Sequence, residues 1–349
     1  MNLLRHHHIL FVFWTLIMII SPKPFSHAGE AQDLLAQAYT AYQQNQWASA
    51  KAPLEHAIQL YPNYAEAHHL LGLVWTHLQQ PEQAIAALKH AVNAYPSFAQ
   101  AYMDLGFVLQ DQGQFEAAEQ AFRQASTLYP NYLESWTALA ALFDQQQQAT
   151  KAIDAHRKVL ELDPHQADSL YGLAFWFVQQ GQIEQAQPYV EQLMAQNPKH
   201  INGWLMTGSL AQYTNQTEKA IKAYQQVVAL QHKLVDPYFN LGILYQQQKQ
   251  YTEAAEAFEN VLRLDQGNPE AHINLGVVYT ALAKLKPAEE QYQAALSLNP
   301  RLSEAHYNLG LLYEFHHNAP EKALEYYKEY VKLGGQDERV TKLLKRVGS

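Results

Sequence analysis

One stretch of this chain, Ala65 to Phe98, returns in near-copy at a fixed spacing, and that repetition limits the fold more than any single motif does. Number Ala65 as position one. Leu71 and Gly72 then stand at seven and eight, Trp75 at eleven, Ala84 at twenty, Leu88 at twenty-four, Ala91 at twenty-seven and Pro96 at thirty-two. Steps of about 34 residues reach Leu105, Gly106, Ala118, Phe122, Ala125 and Pro130, then Leu139, Ala140, Ala152, His156, Val159 and Pro164. The series goes on through Leu173, Ala174, Ala186 and Pro198, then Gly208, Ala220 and Tyr224, then Leu241, Gly242, Tyr245, Ala254 and Phe258. It continues at Leu275, Gly276, Tyr279, Ala288, Tyr292, Ala295 and Pro300. The last full copy carries Leu309, Gly310, Tyr313, Ala323 and Tyr327, with one residue inserted near Pro320. A poorer first copy has Ala38, Ala50, Leu54, Ala57 and Pro62.

These residue types describe a pair of antiparallel helices. Small residues at eight and twenty let two helices approach closely, and large ones at seven, eleven and twenty-four fill the remaining space. Positions twenty, twenty-four and twenty-seven share one helical face. Proline at thirty-two cannot continue the second helix and marks its end. One pair cannot bury its apolar face alone, so neighbouring pairs must stack.

The pattern resembles the tetratricopeptide repeat over about nine copies, from Ala31 to Asp337, which is nearly the whole chain after its first residues. The resemblance implies an all-α, right-handed superhelix. It also implies a concave groove lined by first helices, with positions two, five, six, nine, twelve and thirteen facing inward. A length of 349 residues would by itself suggest two domains; the unbroken repeat predicts one elongated array instead. Several positions depart from the pattern. His156 stands where a large apolar residue is usual, and His232 and Gln266 replace the terminal proline. Pro53 and Pro188 fall inside second helices and are expected to kink them. Repeats four to six are expected to be the least regular, with a candidate hinge near His232–Pro237.

The ends read differently. Arg5, an apolar run from Ile9 to Ile20, and the small residues of Ser26-His27-Ala28 have the form of a secretory leader cleaved after Ala28. The apolar run is too short for a full membrane span. An uncleaved inner-membrane anchor is the alternative, and the only membrane attachment the sequence suggests. Gly29 to Asp33 is expected to be a short entry segment. These features predict export, with a periplasmic location. After Gly334-Gly335, Asp337 has the chemistry of an N-cap. Residues 338–349 are then expected to cap the array, through a helix from Glu338 to Val347 whose Leu343, Leu344 and Val347 cover the last open face.

Composition narrows the function. The net charge is −9 and no basic stripe with interleaved aromatics occurs, which argues against nucleic acid as a partner. There is no cysteine, hence no disulfide, thiolate metal site or catalytic thiol. No phosphate-cradling glycine loop, zinc-helix motif or nucleophile elbow is present. Seventeen histidines are scattered. His68, His272 and His306 share position four, where the family often has tryptophan, and packing accounts for them better than a metal centre, which needs converging ligands. No catalytic residue, metal or cofactor is therefore expected, and the chain reads as a non-catalytic scaffold.

The groove supplies the candidate binding residues. Position six carries Asn240, Asn274 and Asn308 in three successive repeats and Asp104 in repeat three. An amide offers both a donor and an acceptor, so a regular row can grip an extended peptide by its backbone. The row is similar to the asparagine ladder in the repeats of protein O-linked N-acetylglucosamine transferases. Bonding of these amides to a neighbouring helix or turn is the alternative. Phe107, Tyr171, Phe175, Phe239 and Tyr307 stand at positions five and nine as candidate peptide anchors. Glu66, Glu134, Asp168, Asp236, Glu270 and Glu304 stand at position two, where an acid complements a helix N-terminus or, facing the groove, favours a basic partner. No Lys or Arg occupies positions two, five or six, so a carboxylate clamp for chaperone tails is not expected. The expected partner is a protein or extended peptide, held by an adaptor of the bacterial cell envelope. The alternative is a glycan-binding subunit of an envelope polymer-export assembly.

Overall fold

The computed structural model describes residues 26–347. Of the leader expected over Met1 to Ala28, only Ser26 to Ala28 lie among the described residues, and they open the first helix. Packing divides the described residues into two compact units, the first ending at Leu142 and the second starting at Phe143. The first holds α1 (Ser26–Gln43), α2 (Trp47–Leu60), α3 (Ala65–His77), α4 (Pro81–Ala94), α5 (Ala99–Asp111) and α6 (Phe115–Leu128). The boundary falls inside α7 (Leu133–Gln145). The second unit holds α8 (Ala149–Leu162), α9 (Ala167–Gln179), α10 (Ile183–Gln196), α11 (Ile201–Tyr213), α12 (Thr217–Leu230) and α13 (Val235–Gln247). It continues with α14 (Tyr251–Leu264), α15 (Pro269–Ala281), α16 (Leu285–Leu298), α17 (Ser303–Phe315), α18 (Pro320–Lys332) and α19 (Glu338–Val347). There is no strand among the described residues. The fold is all-α, in successive helical pairs, as the repeat predicts.

The small-and-large pattern accounts for the packing within each pair. Ala84, Leu88 and Ala91 are fully buried on α4, and so are Ala254, Phe258 and Val261 on α14. Burial of each large side chain contributes roughly 1.5–3 kcal/mol. The large residue at twenty-four fills the space that position eight leaves empty. A Cβ on Gly106 would lie 2.4 Å from Phe122, and one on Gly208 would lie 2.7 Å from Tyr224. Where position eight is alanine, as at Ala38, Ala140 and Ala174, position twenty-four is Leu54, His156 or Val190 and never the Phe or Tyr found with most of the glycines.

The turn inside each pair has a fixed conformation. Position fifteen adopts a positive φ at Asn45, Gln79, Gly113, Gln147, Gly181, Asn215, Lys249 and Ala283, and Asn318 does the same after the inserted residue. Only some of these are the glycine or asparagine that this backbone favours. The turn is therefore imposed by the helix packing on either side of it.

One expectation changes. Gly29 to Asp33 is helical, because α1 starts at Ser26 and the Ala-, Glu- and Gln-rich segment that follows favours a helix. Pro53 and Pro188 lie inside α2 and α10, as the repeat register places them, and each helix is 14 residues long. Each proline removes one backbone hydrogen bond without ending its helix. The loop between α12 and α13, proposed as a hinge, keeps the common repeat step, with Pro237 buried on α13.

Candidate binding face

The asparagine row lies on α13, α15 and α17, and all three side chains are half-buried. Asn274 donates its amide to the Glu270 carbonyl one turn back, at 2.9 Å, which leaves its oxygen free. The Asn240 and Asn308 side chains have no hydrogen-bond partner among the described residues. One turn before each stands an exposed acid, Asp236, Glu270 or Glu304, in the first turn of its helix. Positions two and six are i and i+4, hence neighbours on one helical face. Repeats seven to nine thus present a paired stripe of carboxylates and amides.

Asp104, at the same position in α5, is differently placed. It lies 2.6 Å from Nε2 of His69 on α3 and accepts from Gln100 at 3.3 Å. Gln100 in turn accepts the Tyr132 hydroxyl at 2.7 Å. This chain of contacts joins consecutive repeats and occupies the carboxylate that the sequence offered to a ligand. A position-by-position reading places both His69 and Asp104, but the bond between position five of one repeat and position six of the next needs the packed structure.

The aromatics expected to line a groove divide in the same way. Phe107 is 43% exposed and rests edge-on against Phe122, leaving a free face. Phe239 makes the same edge contact with Phe258. Tyr171 and Phe175 stack on one another, with ring centres 6.4 Å apart. Tyr307 is engaged from the C-terminal end. Its hydroxyl donates to Asp337 at 3.2 Å and its ring lies 5.0 Å from Tyr330.

The histidines of position four have one shared task. His68, His272 and His306 place Nε2 at 2.8, 3.3 and 3.0 Å from the carbonyls of Pro62, Gln266 and Pro300, six residues earlier. Trp136 and Trp204 donate to the same place, the carbonyls of Pro130 and Pro198, at 3.0 and 2.8 Å. The position needs a ring N–H, which the tryptophan of the family and the Nε2–H form of histidine both supply. Among the described residues, no group of three His, Cys, Asp or Glu stands close enough to hold a metal ion.

One arrangement has the residue types of a hydrolytic triad. His156 Nδ1 lies 3.0 Å from Ser169 Oγ, and its Nε2 lies 3.1 Å from Asp144. Asp144 also accepts from Trp176 at 2.7 Å. Ser169 is 1% exposed and His156 3%, so the hydroxyl is closed to a substrate. His156 fills position twenty-four as a polar packing residue, and its partners satisfy it in the interior. Gly172 makes room for it, since a Cβ there would lie 2.2 Å from the ring.

A further feature was not singled out in the sequence. Tyr61, Tyr95 and Tyr129 recur at position thirty-one, each at the end of a second helix, and are 53%, 50% and 55% exposed. The residue three places on is also aromatic, as Tyr64, Phe98 and Tyr132. Tyr61 meets Tyr64 edge-on, and Tyr95 tilts against Phe98. In the second unit position thirty-one is polar, for example Asp163 and Asn197.

Family models agree with the repeat. Models described as tetratricopeptide repeat match residues 144–210 and 245–308, residues 97–165, and residues 35–99 and 284–338, and one described as TPR repeat matches 213–249. No curated protein sequence matches the chain. Among solved structures, the C-terminal part of a TPR repeat-containing protein from Cytophaga hutchinsonii is similar at a TM-score of 0.61 and 16% identity, covering 69% of this chain and 99% of that one. YrrB, described as a TPR protein with an unusual peptide-binding site, is similar at a TM-score of 0.51 and 18% identity, covering 56% and 100%.

Proposed function

Because the chain belongs to the tetratricopeptide-repeat proteins, we propose that it is a non-catalytic protein-binding scaffold that holds an extended peptide across the first helices of repeats seven to nine. The observation that carries this reading is the amide row. Asn240, Asn274 and Asn308 recur at one place, half-exposed, with two of the three amides unbonded and an acid one turn before each. Free amides pair with the backbone of an extended chain, whatever its side chains. The acids favour basic side chains on that chain. Phe239, within the same stretch, offers an apolar contact. A peptide site in YrrB, a protein of this fold, accords with the proposal.

The test is a double substitution, Asn274→Ala with Asn308→Ala. Crosslinking from α15 in cells, followed by mass spectrometry, identifies the bound peptide. Its affinity is expected to fall about tenfold, as for the loss of one or two hydrogen bonds, while the melting temperature holds. Equal affinity in the double variant would remove the row from consideration.

The leader chemistry of Met1 to Ala28 supports a place in the bacterial envelope, with a periplasmic scaffold after cleavage. Among the described residues no helix is long and apolar enough to cross a membrane. N-terminal sequencing of the protein from an envelope fraction tests this; a mature chain beginning at Met1 rejects cleavage.

A second reading, a glycan-binding subunit of a polymer-export assembly, draws on the tyrosines at position thirty-one. Three exposed rings at equivalent places suit a ligand that itself repeats, and the surrounding turns, such as Tyr61-Pro62-Asn63-Tyr64, carry no charge. Retardation in gels containing neutral polysaccharide, lost in the Tyr61→Ala, Tyr95→Ala, Tyr129→Ala variant, supports it. Unchanged migration of the parent protein rejects it.

A further inference from the structure

Repeat six lacks two side chains that its neighbours have. Position seven is leucine in repeats two to five and seven to nine, but Thr207 here. Position eleven is Trp75, Leu109, Phe143, Phe177, Tyr245, Tyr279 and Tyr313 in those repeats, but Ala211 here. These places are i and i+4, so both losses fall on one face of α11. A cleft of about 240 Å³ opens there, between α10, α11 and the start of α12. Its apolar wall includes Val190, Met194, Leu210 and Ala211.

The polar groups around the cleft are largely committed. Thr207 donates to the Gly203 carbonyl at 2.8 Å, Thr214 to Leu210 at 2.9 Å and Trp204 to Pro198 at 2.8 Å. What remains on offer is apolar surface, with the Glu191 carboxylate, the Lys219 ammonium and the Gln216 amide at the rim. Glu191 accepts from Gln187 at 2.8 Å and lies 3.9 Å from the Lys219 ammonium. It is exposed and keeps acceptor capacity to spare.

The other repeats show what belongs in this space. The ring at position eleven meets a residue at position twenty-one or twenty-five of the preceding second helix, and the chemistry of the two is matched. Where the partner is a cation, the ring has no hydroxyl: Lys51 lies 4.5 Å from the Trp75 ring and Arg157 lies 5.8 Å from the Phe177 ring. Where it is an amide or acid that bonds the ring, the ring is tyrosine: Tyr245 bonds Gln225 and Tyr279 bonds Glu259, both at 2.8 Å, and Tyr313 bonds Glu289. Glu55, the acid at position twenty-five ahead of Trp75, instead pairs with Lys51 at 3.6 Å. Position twenty-five ahead of Ala211 is Glu191. An acid is thus in place, and its tyrosine is missing.

We propose that this cleft is a docking socket for a tyrosine side chain of a protein partner, the ring seated against Val190, Met194 and Leu210 and the hydroxyl donating to Glu191. The socket is separate from the amide row and gives the scaffold a second point of hold. An apolar cavity of this order accepts a single ring in other proteins.

The probe is p-cresol, the tyrosine side-chain analogue, compared with toluene, which lacks the donor. Saturable binding of p-cresol to the full chain is expected by NMR titration, at least tenfold tighter than toluene. Glu191→Ala is expected to weaken p-cresol about tenfold, the contribution of a hydrogen bond to a charged acceptor, and to leave toluene unchanged. Ala211→Tyr supplies the missing ring from within. It is expected to abolish binding of both probes and to raise the melting temperature by roughly 2–4 °C, as about 1 kcal/mol does in a domain of this size. The proposal is overturned if p-cresol shows no saturable binding, if toluene binds as tightly, if Glu191→Ala leaves p-cresol unaffected, or if Ala211→Tyr still binds either probe. A fall in melting temperature for Ala211→Tyr overturns it as well, because a socket shaped for this ring must accept it.

Discussion

The ring of Tyr292 occupies the space a side chain on Gly276 would need: a Cβ there would stand 2.5 Å from Cε1. Tyr292 is buried, so its ring has little room to give way. Gly276→Ala is therefore expected to destabilise the second unit by about 2 kcal/mol, overpacking outweighing the helix preference of alanine. The pair Ala174 and Val190 shows the compensated form. Adding Tyr292→Val to Gly276→Ala should recover part of the loss, so the double variant is more stable than the sum of the singles. A urea-denaturation double-mutant cycle measures the coupling; strict additivity contradicts the shared-space account.

A second prediction concerns His68. Burial holds its imidazole below the usual histidine range, with the Pro62 carbonyl opposing that shift and neighbouring His90 adding to it. The folded state thus binds a proton less readily than the unfolded one. His68 contributes no loss above the unfolded value of 6.5, and stability falls as pH drops from there through the depressed folded value. His68→Trp keeps the ring N–H aimed at Pro62, as Trp136 and Trp204 do at their own prolines. Its melting temperature should fall less steeply than the parent's between pH 7 and pH 5, and parallel curves would contradict the assignment.

These examples mark how far the sequence could be read. The repeat was legible because each position has a strict size requirement, as at Gly276 and Tyr292. The helix pairs and turns then follow from counting. Counting also located the amide row, since a half-exposed Asn at position six lies in the same place in each copy. Contacts between copies were harder. His69 and Asp104 are 35 residues apart, and nothing in either position alone announces a bond. His156 read as a departure, and only packing shows Asp144 and Ser169 on either side of it. The cleft at Ala211 is written in the sequence as two missing side chains, but its meaning depends on Glu191 in the preceding repeat.

The C-terminal helix should loosen on acidification. Asp337 caps α19 by accepting from the Val340 N–H at 2.8 Å, and that bond, foremost, holds its carboxyl below the usual value of 3.8. A depressed folded pKa stabilises the docked helix above the unfolded value, and the effect is lost as pH falls through the folded one. Arg339 adds a fork to Glu314 at 2.8 and 2.9 Å and a bond to the Tyr327 hydroxyl at 2.9 Å. Asp337→Ala should loosen α19 by about 1 kcal/mol, as loss of an N-cap does. Protection along α19 should then be lower at neutral pH and fall less on acidification than in the parent. Unchanged protection in the variant would assign the docking to Val340, Leu343 and Leu344 together with the Arg339 bonds, and not to the cap.

The last prediction runs against the usual cost of glycine. Ala283 sits at position fifteen with φ of 56°, a conformation in which its Cβ crowds the following carbonyl. The cost there is roughly 1–2 kcal/mol for an alanine and close to none for a glycine. Glycine loses more backbone freedom on folding, by roughly 0.5–1 kcal/mol. The strain term is the larger, so Ala283→Gly should stabilise the second unit by about 0.5–1 kcal/mol. Gly113 and Gly181 occupy this position in other repeats at φ of 71°, so the turn accepts glycine without rearrangement. Gly113→Ala, in the first unit, should destabilise by a similar amount. Urea titration of both variants checks the pair, and the account requires opposite signs. If Ala283→Gly destabilises, the turn is held by the side chain at position fifteen and not by the helices that flank it.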